Sequence, residues 1–163
     1  MNRFTVLVLS VSLGLIALVV IVKLHYTGKP PAALLPSECD STLWSHVYER
    51  ERLHVMAECV AVEGRVMSVR RVADGDLHIA LDPDNPSVLN LVNVIHAHRT
   101  LVVESICEHI PEEQSARAAC GNFHPPVSAP AVGDRVRITG AFVLDAENGW
   151  NEIHPVSRIE VLR

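Results

Sequence analysis

The chain has 163 residues, 14 Lys and Arg against 19 Asp and Glu, a formal net charge of −5, and 48% hydrophobic residues. That length and balance fit one globular domain plus a segment outside the fold, and they exclude a disordered polyanion, a collagen-like repeat and a multidomain enzyme. The chain contains no P-loop, no dinucleotide fingerprint and no G-x-S-x-G nucleophile elbow, so no motif supports an enzyme and no catalytic residue is assigned.

Residues 4–22 carry no charge and are bracketed by Arg3 and Lys23. As a helix this run would span roughly the 30 Å hydrocarbon core of a bilayer. It exceeds the usual signal-peptide core and no small-x-small site follows it, so residues 1–24 read as an uncleaved transmembrane anchor rather than a cleavable signal. Pro36, Ser37 and Glu38 before Cys39 do not match a lipoprotein processing site. Flanking charges are nearly balanced, so the positive-inside rule does not orient the helix.

The cysteines supply the orientation. Cys39, Cys59, Cys107 and Cys120 all follow the helix, an even count suited to an oxidising compartment. Of three possible connectivities, Cys107 with Cys120 and Cys39 with Cys59 is favoured, the competing reading being buried free thiols. No C-x-x-C pair points to zinc. The expected location is the cytoplasmic membrane, with the soluble part outside.

Residues 25–38 contain Pro30, Pro31 and Pro36 and read as a proline-rich linker, an extended spacer holding the domain off the bilayer. The domain proper is residues 39–163. Asp40 or Ser41 can cap a short helix within residues 40–53, with Leu43, Trp44, Val47 and Tyr48 at helical spacing and Leu53 at its end. Residues 59–69 alternate as a strand in which Val60, Val62 and Val66 share a face, and the apolar parity then switches to Met67 and Val69. A switch beside Gly64 predicts a bulge or sharp coil.

Asp74 and Gly75 supply a turn into a second strand with Leu77, Ile79 and Leu81 on one face and His78 on the other. Val88, Leu89, Leu91, Val92 and Ile95 form one short helical stretch. Residues 101–107 make a third strand, apolar on both faces apart from Glu104 and Ser105, as a covered strand should be. Pro111, Glu112 and Glu113 are expected to open a helix that Gly121 stops. A fourth strand carries Val136, Ile138, Phe142 and Leu144 on one face. After the Asn148-Gly149 turn, residues 150–162 form the last strand, interrupted at Pro155.

Three strands, a helix and two strands is the element order of an oligonucleotide/oligosaccharide-binding (OB) fold, a mostly β, five-stranded Greek-key barrel. Residues 74–79, 102–104, the Val132-Gly133-Asp134-x-Val136 stretch and above all Gly149-Trp150-Asn151-Glu152-Ile153-His154-Pro155-Val156 resemble a family of small, largely uncharacterised prokaryotic single-OB proteins. The resemblance covers roughly residues 58–162, and it implies the fold and no established reaction.

From Cys39 onward 11 Arg face 18 Asp and Glu, a net −7, which disfavours nucleic acid because phosphate neutralisation dominates that affinity. Arg65, Arg70, Arg71, Arg135, Arg137 and Trp150 are the candidate binding-face residues, and their bland reading is a solvated face paired with acids. No cofactor is called. A divalent metal is the exception to weigh: His78, Glu104, Glu152 and His154 form an oxygen and nitrogen donor set, because i, i+2 spacing puts Asp76 with His78, and Glu152 with His154, on one strand face and Glu104 can lie between the two imidazoles. The competing reading is a hairpin turn at residues 74–76 and a satisfied histidine at a proline bulge. His96 and His98 share the spacing but lack a third ligand. The expected role is a membrane-anchored binding or assembly module with a protein as its ligand, with nucleic-acid binding or a metal-dependent site around His78 and His154 as alternatives.

Overall fold

The computed structural model describes residues 28–163 except residue 126. The expected membrane helix lies outside these residues, and among the described residues no helix is long and apolar enough to cross a membrane. Five strands, β1 (Leu53–Arg71), β2 (Leu77–Pro83), β3 (Leu101–Ser105), β4 (Arg135–Asp145) and β5 (Asn151–Val161), form one closed sheet in the order β1-β2-β3-β5-β4. All neighbours are antiparallel except β3 and β5. Helix α1 (Leu91–Ile95) precedes β3, and helix α2 (Arg117–Cys120) separates β3 from β4.

β1 serves two partners in succession, β4 from Leu53 to Arg65 and β2 from Gly64 to Arg71. At the handover a side chain on Gly64 would sit 2.3 Å from the Asp82 carbonyl oxygen, so only glycine permits the approach. The bulge expected here falls between Val66 and Ser68. It leaves Val66 in the core and turns Met67 outward at 51% exposure, with Val69 packed against the core, which corrects the expected inward Met67. Val60, Val62, Ile79, Leu81, Leu101, Val103, Ile138, Phe142 and Ile153 fill the interior from all five strands.

The last strand is not interrupted at Pro155. It runs through the cis His154-Pro155 peptide. Gly140 pairs with Val156 and Phe142 with Ile153, so His154 and Pro155 together face the single residue Ala141. This two-against-one bulge is accommodated by Gly140, where a Cβ would meet the Pro155 carbonyl at 2.5 Å.

Three other expectations change. Residues 40–53 form two 3-10 turns, Ser41–His46 and Arg50–Arg52, rather than one helix; Asp40 caps the first, and Glu49 in a left-handed conformation precedes the second. Leu43 and Val47 are buried as expected, in a second cluster with Leu53, Ile106, Ala141 and Val143. Pro111 does not open a helix, because its loop gives its backbone bonds to the β1–β2 turn: His109 N donates to Gly75 O and Glu113 N to Ala73 O. Finally, residues 88–95 split, Asn90 capping α1 after a 3-10 turn at Pro86–Val88.

The proline-rich stretch does not stand free. β2 joins β1 only at Gly64, leaving the first half of β1 with an open edge, and residues 28–39 cover it: Ala33 bridges Val60, Leu34 N donates to Cys59 O and Lys29 N to Ser87 O. Cys39 is disulfide-bonded to Cys59 at the same place, and Cys107 to Cys120, the pairing expected.

The Cys107–Cys120 bridge closes 13 residues of sequence, for which chain entropy gives about 3 kcal/mol. Replacing both by alanine is expected to lower stability by about that amount, read as a fall in the urea midpoint at constant m-value. An unchanged midpoint would mean that other contacts hold the loop.

Candidate functional site

On β2, β3 and β5 the alternation that sends Ile79, Val103 and Ile153 into the core sends His78, Glu104, Glu152 and His154 to the outer face of the closed sheet. His78 pairs across the strands with Glu104, and Val102 with Glu152, so register brings the four side chains together. They are covered from outside by the 3-10 turn carrying Arg52, the β1–β2 turn carrying Asp74 and Asp76, and the β4–β5 turn with Asp145, Asn148 and Trp150.

Glu104 is 1% exposed. His78 Nε2 lies 2.7 Å from its Oε1. Arg70, which can only donate, is 2.9 Å from His78 Nδ1, so Nδ1 accepts and the ring hydrogen on Nε2 is donated to Glu104. The other carboxylate oxygen, Oε2, faces His154 Nδ1 at 2.9 Å and Arg52 at 3.8 Å. His154 Nδ1 has one hydrogen, and it points at Glu152 Oε1, 3.1 Å away. Glu104 Oε2 therefore has charge attraction but no hydrogen bond among the described residues.

His154, 1% exposed, has an unpartnered Nε2 as well; it is turned towards Asp76 Oδ2 at 3.9 Å, too far for a hydrogen bond. Asp76 is fixed through its other oxygen, which accepts from Cys107 N at 2.8 Å. Glu152 completes the chain by accepting from Trp150 Nε1 at 2.8 Å. Arg52 forms its closest ion pair with Asp145, whose carboxylate also accepts from Glu147 N, Asn148 N and Asn148 Nδ2.

These surroundings separate the acids. Burial pushes Asp76 up to about 7, only partly offset by the His154 charge. Glu152 is raised by burial and by the nearby negative charge of Glu104. Burial acts on Glu104 in the same sense, but the adjacent His154 charge and the hydrogen bond from His78 outweigh it and hold the carboxyl well below its usual range. Burial opposes the charged form of His154, and Glu104 and Glu152 together overcome it, so the imidazole titrates well above its ordinary value.

All four metal-ligand candidates thus converge. Asp76 joins them, offering with Glu104 and His154 one donor atom each within 4.8 Å of one another. Arg52, Asp145 and Asp76 were not among the sequence candidates. The i, i+2 spacing of Asp76 and His78 already pairs those two in the sequence, whereas Arg52 and Asp145 meet only because Leu53 pairs with Asp145 across β1 and β4.

Among the arginine candidates, Arg65 stands opposite Arg135 across β1 and β4 with Arg137 on the same strand, whereas Arg70 lies against His78. Arg135 pairs with Asp84 and Glu63, Arg137 with Glu63, and Arg65 donates to Gly133 O. Arg71 is exposed at the end of β1, and Arg70 alone joins the site. Trp150, half-buried, also joins it.

Two cavities flank the cluster, with His78 in the wall of both. One, about 520 Å³, lies over β1, β2 and β3 and is lined by Met67, Arg70, His78, His96, His98 and Trp150 among others, with no carboxylate. The other, about 410 Å³, opens onto Glu104 between Glu49, Asp74, Glu113 and Glu147. No protein-family model and no curated protein matches the chain.

Removing one member of a buried charge pair costs about 3 to 5 kcal/mol. Glu104→Gln is expected to lose about that much, because it strips the counter-charge from His154 and Arg52. Glu152→Gln removes an acid that burial already disfavours as an anion and should cost clearly less. Chemical denaturation of both variants with chelator present checks the order, and equal losses would contradict the assignment of the compensating charge to Glu104.

Proposed function

We propose that the chain is a membrane-anchored, extracytoplasmic OB-type module that docks an acidic segment of a protein partner in the cleft over β1, β2 and β3. One observation carries the reading: in a domain with net charge −7 from Cys39 onward, this cleft has Arg70 and three histidines in its lining and no carboxylate. Met67 and Val102 add apolar surface beside Arg70, and Trp150 offers an amphipathic ring, the mixture that anchors protein partners.

The strand order, with β1 closing onto β4 and β3 parallel to β5, supports the OB reading. Ligands of that fold sit over the second and third strands, and this cleft has His78, Ile79 and Ala80 of β2 and Val102 of β3 in its wall. Two disulfides among the described residues support a domain on the oxidising side of a membrane, and the charge-free residues 4–22 supply the anchor. Nucleic acid is disfavoured because Arg135 and Arg137 are already neutralised by Asp84 and Glu63.

The test uses the full chain in detergent micelles and a labelled peptide of glutamate, leucine and tyrosine. Fluorescence anisotropy should give saturable binding that weakens at least tenfold in Arg70→Glu, while a lysine-based peptide of equal length stays free. No binding of the acidic peptide, or tighter Arg70-dependent binding of a single-stranded oligonucleotide, overturns the reading. For the compartment, protein extracted from its native membrane without reductant should show no free thiol; four free thiols, or recovery in the soluble cytosolic fraction, would remove the extracytoplasmic placement.

A further inference from the structure

We infer that Asp76, Glu104 and His154 form a binding site for a divalent transition-metal cation on the outer face of the sheet, a site independent of the cleft described above. The three donors come from separate elements: the residue before β2, the middle of β3 and the bulge in β5. Each is 3% exposed or less, and one donor atom from each lies within 4.8 Å of the others.

Unpartnered buried atoms are the second observation. His154 Nε2 and Glu104 Oε2 have no hydrogen-bond partner among the described residues, and burying such atoms without compensation is costly. The 3.9 Å between His154 Nε2 and Asp76 Oδ2 is too long for a hydrogen bond, yet it suits two ligands of one cation, which at about 2.1 Å each stand some 3 to 4 Å apart.

Charge points the same way. Asp76 and Glu104 bring two buried carboxylates to the site, and Asp145 and Glu152 pack behind them beside Arg52 and His154. The acidic cavity between Glu49, Asp74, Glu113 and Glu147 leads to Glu104 and gives a cation a favourable approach.

The remaining candidates act behind the ligands. Glu152, itself held by Trp150, accepts from His154 Nδ1 and leaves Nε2 to the metal, the carboxylate–histidine–metal arrangement. His78 orients Glu104 in the same manner. Cys107 and Cys120 near Asp76 are disulfide-bonded and offer no thiolate. One imidazole and two carboxylates select Zn²⁺ or Mn²⁺ over Mg²⁺, with coordination positions left open.

The full chain in detergent, stripped with EDTA and dialysed, is titrated calorimetrically with ZnCl₂, MnCl₂ and MgCl₂. One saturable Zn²⁺ or Mn²⁺ site per chain is expected, with little response to Mg²⁺. Asp76→Asn, which preserves the oxygen that accepts from Cys107 N, should abolish saturable binding while its metal-free urea midpoint shows a folded protein. Glu152→Gln should weaken binding about tenfold, and His96→Ala with His98→Ala should leave it unchanged. X-ray absorption at the zinc edge should show oxygen and nitrogen ligands with one imidazole and no sulfur. Absence of saturable binding, loss of it in the His96/His98 variant, or sulfur at the metal overturns the site. None of these readouts involves peptide binding, so either proposal can fail alone.

Discussion

Glu104 is an anion with almost no contact with water, and a protein interior tolerates that only when opposite charge and hydrogen bonds surround it. Its compensation arrives from three directions: His78 across β2, His154 across β5, and Arg52 from the turn preceding β1. Each source belongs to a different part of the chain. Closing the sheet with β3 between β2 and β5 and assembling the charges around Glu104 are therefore one event.

The bulge in β5 makes this possible. An unbroken alternation keeps Glu152 and His154 outward and Ile153 inward, but it cannot also bring Val156, three residues further on, to the core side. The extra residue opposite Ala141 resolves the conflict, and Gly140 gives the bulged backbone room. The outer cover depends on constraints remote from the cluster. Residues 28–39 cover the open edge of β1 at Cys59 and Val60 and are bonded there through the Cys39–Cys59 disulfide, seven residues after Arg52, while the Cys107–Cys120 bridge holds the loop whose backbone fixes Asp76.

Features governed by local periodicity were legible in the sequence. Leu77, Ile79 and Leu81 announce β2, the i, i+2 spacing of Glu152 and His154 announces a shared face, and Gly64 marks the coil in β1. Where tertiary bonds take the backbone, local reading fails. Pro111, Glu112 and Glu113 look like the first turn of a helix, yet the amide hydrogens of His109 and Glu113 go to the β1–β2 turn, a partner no window of sequence contains. Alternation alone points Met67 inward, and only the register shift between Val66 and Ser68 turns it out. The proline-rich segment has the composition of a spacer, and only the shortfall of β2 beside β1 shows what it covers. Within the site, Arg52 and Asp145 are 93 residues apart, and nothing short of the β1–β4 register joins them.

The outer face is electrostatically divided, and His78 is the divider. On one side Arg70, His96 and His98 line a cavity without carboxylates; on the other Glu49, Asp74, Glu113 and Glu147 surround the opening to Glu104. Arg70 holds one imidazole nitrogen as an acceptor, which commits the other to donating to Glu104. The same imidazole thus stands in the wall of both cavities while its hydrogen stays on Glu104. Two regions of opposite charge are thereby kept distinct at their surfaces and joined at their base.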